Sequence, residues 1–219
     1  MGAWEYGNYK AVTRAWDNPR LGAALIAIKK ELVYNGFGEN LEVEKPVFGE
    51  AAANRVREFQ QAKGLTVDGQ VGPVTAKELF RKRVEQEERN YDLPVGTIGR
   101  KLKLESNFDP VAIGGADPDD TGISQINRRI HTSVSLEEAF DPAFSIDWAA
   151  KYVSQLRRDV AARADVLKAA RAAYNIGSTY ATRWMLAGFP ASGGPDMGGG
   201  VDAFARATQY ISLVDRQDW

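Results

Sequence analysis

The chain has 219 residues and a net charge of −1, with 28 Lys and Arg against 29 Asp and Glu, which excludes the strongly basic surface of a nucleic-acid binder. It has no cysteine and one histidine, His131, so a zinc site built from Cys and His, which needs three or four such ligands, is excluded. Cys–His catalysis is excluded with it, and a Ser–His–Asp triad is left with His131 alone, near which no nucleophile-elbow pattern stands.

In chain order, the opening "MGAWEYGNYK" lacks the basic stretch and apolar core of an export signal. Tyr6 occupies the place where a myristoylation motif needs Ser or Thr. The longest apolar run, "LGAALIAI", is far short of a membrane span. A soluble protein is expected, kept in the cytosol after synthesis and without stable membrane insertion.

Residues 1–83 hold two related halves. Leu25, Ile28, Leu32 and Val33 make one helical face, followed by the glycine-rich turn "NGFGEN". A second helix carries Val56 and Phe59 and stops at Gly64. The segments "VFGEAA" and "QVGPVTA" read as two copies of one loop leading into a helix, with Pro73 suited to a first helical turn. Three short helices then form a bundle near the lower size limit for a core that stands alone. The alternating charges of "RKRVEQEERNYDLP" predict a solvated helical linker.

Beyond it, helices are predicted over about 94–105, 142–163, 165–176 and 201–215, from apolar periodicity and from the cap and proline of Asp141-Pro142. Val95, Ile98 and Leu102 form an apolar stripe that Glu105 continues, a poor place for an ionised group unless its protonated form is useful. Phe144, Trp148, Tyr152, Leu156 and Val160 recur at spacing four and predict long apolar contacts. "TGISQIN" suits a short extended segment, and "GFPASGGPDMGGG" at 188–200 is a loop, open to motion.

Two sets of residues resemble known families. Val56, Phe59-Gln60, Gly64-Leu65, Asp68-Gly69, Gly72, Thr75 and Leu79 resemble the second half of the peptidoglycan-binding three-helix repeat domain. The first half departs from that pattern, because "KPVFGEA" lacks the usual Asp-Gly. Turn chemistry and core packing explain most of these positions, so they identify the fold better than a contact surface. "ESNFDPVA" (105–112), "TGISQIN" (121–127) and "RAAYNIGS" (171–178), in that order, resemble the soluble lytic transglycosylase domain, a lysozyme-like helical fold.

The resemblance implies an all-α protein: a peptidoglycan-binding bundle at 1–83, then a lysozyme-like catalytic domain at 84–219 whose first ten residues, 84–93, are a linker. It implies cleavage of the bond between N-acetylmuramic acid and N-acetylglucosamine, with Glu105 as the acid and then the base, giving a 1,6-anhydro end. Ser106, Gln125, Tyr174 and Asn175 would bind and position the sugar; each also has a structural reading, as cap, core or helix-end residue.

Where the family has a short glycine-containing turn, this chain has "IGGADPDD". Asp117, Asp119 or Asp120 is therefore a candidate second carboxylate for a true muramidase on the same fold, against the reading of an acidic turn. A wall-binding protein without catalysis, or a phage structural protein, is the alternative from another class. A zinc amidase or endopeptidase, another common companion of such binding domains, fails on the His and Cys count. A monomer is expected, acting on bacterial peptidoglycan with neither cofactor nor metal and without nucleic acid. The arrangement looks like that of a modular bacteriophage endolysin, which acts on the wall after release from the host cytoplasm.

Overall fold

The computed structural model describes residues 13–14, 19–159, 166–187, 189–198 and 200–217. The opening stretch read for export and lipidation signals lies outside the described residues. So do Val160, the end of the helix expected to reach 163, and Gly188 and Gly199 of the glycine-rich loop.

Helix forms wherever apolar side chains recur every three or four residues. The elements are β1 (Thr13–Arg14), α1 (Pro19–Tyr34), β2 (Val47–Phe48), α2 (Glu50–Ala62), α3 (Pro73–Asn90), α4 (Thr97–Glu105), β3 (Asp120–Thr121), β4 (Ile126–Asn127), α5 (Leu136–Phe140), α6 (Pro142–Asp159), α7 (Val166–Ile176), α8 (Ser178–Leu186) and α9 (Ala203–Asp215). This is the all-α architecture expected, with two antiparallel two-residue ladders, β1 with β2 and β3 with β4. The chain divides into two compact units, Met1–Glu87 with Glu105–Asp147, and Glu88–Leu104 with Trp148–Trp219.

The first unit contains the bundle of α1, α2 and most of α3. Leu25, Ile28, Leu32, Val56, Phe59, Leu79, Phe80 and Val84 form its buried core. Val33 is 47% exposed, because one residue beyond Leu32 the helix has turned about 100° away from the core. Gln60, also buried, explains the Phe-Gln and Asp-Gly spacing. Its Nε2 donates to Asp68 Oδ1 at 2.8 Å, the Gln70 carbonyl at 2.9 Å and Thr75 Oγ1 at 3.2 Å. Its Oε1 accepts from the N–H groups of Asp68 at 3.1 Å and Gly69 at 2.9 Å. One side chain thus holds the whole turn between α2 and α3, where Gly69 takes a left-handed φ of 75°.

In the same unit, Glu31 of α1 is buried against Arg83 of α3, with its Oε1 accepting from Arg83 Nε at 2.6 Å. Its other oxygen, Oε2, has no hydrogen-bond partner. The stretch expected to be a solvated helical linker is helical only to Asn90, and Val84, together with Glu88 and Leu93 of the second unit, is buried. Charge alternation marks the outward residues of a helix and leaves the inward ones unseen.

In the second unit, Leu156, Ala173, Ile176, Trp184, Phe204 and Tyr210 belong to one apolar cluster shared by α6, α7, α8 and α9. Asp202 caps α9 by accepting from the N–H groups of Phe204 at 2.8 Å and Ala205 at 3.0 Å. The same carboxylate takes the N–H groups of Gly193 and Gly194, so the glycine-rich loop, irregular as expected, is tied to the helix that follows it. The fully buried face of α6 is Ala149, Ala150 and Val153, whereas Trp148 and Tyr152 are half-buried on its flank. Spacing four places residues along a helix side without saying which side meets the core.

Candidate active site

Helix α4 begins at Thr97 rather than at 94, and Val95 is 74% exposed, so the apolar stripe consists of Ile98 and Leu102 alone. The start is set by Glu88 in the last turn of α3. Its carboxylate, 1% exposed, accepts from the N–H groups of Gly96 at 2.7 Å, Ile98 at 2.7 Å and Gly99 at 3.3 Å. These N–H groups have no partner within the helix, and a negative charge complements the positive end of its dipole.

Glu105, half-buried, is the last residue of α4. The backbone then turns sharply, with two successive non-glycine residues, Asn107 and Phe108, at φ 54° and 63°. Left-handed backbone at a bulky residue is unfavourable and persists only where the surroundings hold it. Here Phe108 is fully buried, and buried Asp109 accepts from the Val111 N–H at 2.9 Å while its own N–H donates to the Ser106 carbonyl at 3.1 Å. Ser106 Oγ donates to the Ile123 carbonyl at 2.7 Å and ties the turn to the hairpin of β3 and β4.

That hairpin is the "TGISQIN" segment. Gly122 lies against α5, where a Cβ would overlap the Ala139 carbonyl oxygen, and its φ of 77° also requires glycine. Gln125, at φ 50°, donates from Nε2 to the Gly122 carbonyl at 2.9 Å, so its amide closes its own turn. In the acidic turn, Asp117 accepts from the Asp119 N–H at 3.1 Å, from Asn127 Nδ2 at 3.1 Å and from Arg129 at 2.5 Å. The Asp119 N–H, then Asn127 and the Arg129 charge, hold its carboxyl below the usual range. Asp120 Oδ1 accepts from the same Asn127 amide at 2.8 Å, and Asp119 contributes its backbone carbonyl to the Arg128 N–H at 3.0 Å. The structure thus gathers Glu105, Ser106, Gln125 and the three aspartates in the first unit.

Tyr174 and Asn175 belong to the second unit, on α7. The Tyr174 ring is met edge-on by Tyr152, with centroids 5.5 Å apart, and by Trp148 at 6.3 Å. Lys101 Nζ stands over the ring, 3.1 Å from its centroid. Asn175 Oδ1 accepts from Arg206 Nε of α9 at 2.8 Å. Sequence reading missed Glu88, Lys101 and the half-exposure of Trp148 and Tyr152; a charged residue at helical spacing among apolar ones was the available signal for the first two. Among the described residues, no group of three or more His, Cys, Asp or Glu could hold a metal ion. No helix among them is long and apolar enough to cross a membrane.

Residues 22–79 match the family described as a putative peptidoglycan binding domain, and residues 82–188 match the transglycosylase SLT domain. Comparison with curated proteins finds no match. The chain therefore carries a peptidoglycan-binding domain followed by a wall-cleaving domain of the lysozyme-like helical class. It is a lytic transglycosylase, an enzyme that cleaves peptidoglycan.

Proposed function

We propose that this enzyme cuts the bond between N-acetylmuramic acid and N-acetylglucosamine with Glu105 as its single catalytic carboxyl group. Glu105 protonates the bridging oxygen as the bond to C1 breaks. The 2-acetamido group of the muramic sugar stabilises the positive C1 in place of a protein nucleophile. Glu105 then takes the proton of the sugar's own 6-hydroxyl, which closes onto C1 as the 1,6-anhydro end. Tyr174 and Asn175 bind and orient the sugar; Ser106, tied to the Ile123 carbonyl, and Gln125, whose amide closes its own turn, line the cleft.

The observation that carries this reading is the fixed left-handed turn at Asn107 and Phe108, directly behind a half-buried acid at a helix end. Strain retained beside a carboxylate supports a catalytic setting for it. The bonds of Asp117 and Asp120 to Asn127 and Arg129 support a structural role for the acidic turn over that of a catalytic base. Mass spectrometry of soluble wall fragments separates the two, since an anhydro end is one water lighter than a hydrolysed one and cannot be reduced by borohydride. Reducing muramic ends, together with loss of activity on changing one of Asp117, Asp119 or Asp120 to Asn, would establish the muramidase.

In this reading residues 1–83 anchor the enzyme to the wall, and residues 84–219 cut it, as in a modular phage endolysin. Anchoring raises the effective concentration of the cutting domain at its substrate. The endolysin role is tested by expressing the chain in bacteria: lysis should follow only when the inner membrane is breached by a second agent.

A further inference from the structure

We propose that Lys101 is a positioning residue that acts on the reaction through Tyr174; this rests on the role just proposed for Tyr174. Lysine is almost never fully buried, because removing an ammonium from water is costly unless another group offsets it. Lys101 is 4% exposed, and it lies on α4, one helical turn before Glu105. Its Nζ stands over the face of the Tyr174 ring, where the ring's negative quadrupole attracts a cation. Lys101 and Tyr174 also line a small space of about 10 Å³, at the lower limit for a single water molecule. Arg171, the other cation lining that space, is engaged by Asp215 of α9.

Two consequences follow for the phenol. Its ring is held on one face by the ammonium and at its flanks by Trp148 and Tyr152, so the direction of the hydroxyl is set before substrate arrives. The positive charge at the ring face also favours negative charge on the phenol oxygen, which makes the hydroxyl a stronger hydrogen-bond donor. Lys101 thereby couples the helix that carries the acid to the tyrosine that orients the sugar.

The test is a double-mutant cycle on the full-length enzyme, with kcat and KM measured on soluble glycan strands. Tyr174→Phe keeps the ring and removes the hydroxyl; Lys101→Met keeps the length of the side chain and removes its charge. Each single change should lower kcat by about tenfold with KM within about twofold, and the double variant should be no slower than Tyr174→Phe alone. Additive losses, or an unchanged kcat in Lys101→Met, would overturn the proposal and leave the role of Tyr174 standing. An unchanged kcat in Tyr174→Phe would overturn both. Should Lys101→Met unfold below the assay temperature, Lys101→Arg replaces it: retention of the charge should keep kcat within about threefold, and a larger loss in a folded protein would overturn the proposal.

Discussion

Glu88 and Ile98 meet at the start of the helix that ends in Glu105: the buried carboxylate accepts the Ile98 N–H at 2.7 Å. The same group takes the N–H groups of Gly96 and Gly99. Changing Glu88 to Ala leaves three helix-end donors without this acceptor, and each unpaired buried donor costs about 1–3 kcal/mol. The expected loss is roughly 3 kcal/mol in urea unfolding, with a fall in activity because α4 carries Glu105, the proposed acid. An unchanged unfolding midpoint would show that water or another group replaces the carboxylate.

Glu105→Gln keeps the shape of the acid and cannot exchange the reacting proton. Wall clearing should fall by at least the ~10²–10⁴-fold that general acid–base catalysis supplies, with binding to sacculi unaltered. Residual activity within about tenfold of the parent would remove Glu105 from the reaction.

Burial raises the Glu31 pKa to about 7, against the opposing Arg83 charge, and the Asp141 charge adds to the rise. A carboxyl raised in the folded state binds its proton more tightly there than in the unfolded chain. Its contribution to stability is therefore full below the unfolded value near 4.5 and is lost as pH rises through about 7. The loss amounts to roughly 3 kcal/mol. Glu31→Gln should flatten the dependence of unfolding free energy on pH between those values; a slope equal to that of the parent would assign the dependence to other groups.

Gln60 makes bonds to four residues across the turn from α2 to α3. Gln60→Ala should cost about 2–4 kcal/mol, since a buried polar network is left half satisfied. Binding to sacculi should fall in step with thermal unfolding of the bundle. Loss of binding in a bundle that melts normally would instead mark Gln60 as part of the wall-contacting surface.

Changing Gly122 to Ala combines a left-handed backbone with overlap on the Ala139 carbonyl. It should cost several kcal/mol, on the order of the largest single-residue losses. Thermal melting of the full chain checks this; a normal melt would mean that α5 shifts to make room.

The helices, their proline starts and the turn glycines were legible in the sequence because they are local. A period of 3.6 residues, a cap or a positive φ is decided by neighbours within a turn or two of the chain. Leu25, Ile28, Leu32, Val56 and Phe59 are buried for that reason, and the Gln60 turn follows its expected spacing. Which side of each element meets the core was decided only by tertiary structure. Val95 is exposed because Glu88, from the preceding helix, starts α4 beyond it. Trp148 and Tyr152 lie on the flank of α6 because other residues of that helix face its core. Lys101 reads as a surface residue of an amphipathic helix, yet it is buried, with its ammonium over the ring of Tyr174, supplied by α7 far along the chain. The acidic turn reads as a loop ahead of a catalytic base, and that Asn127 and Arg129 meet its carboxylates is decided only in the folded chain. Local propensity acts along the chain, whereas desolvation and pairing of charges act through space and need the partners in place.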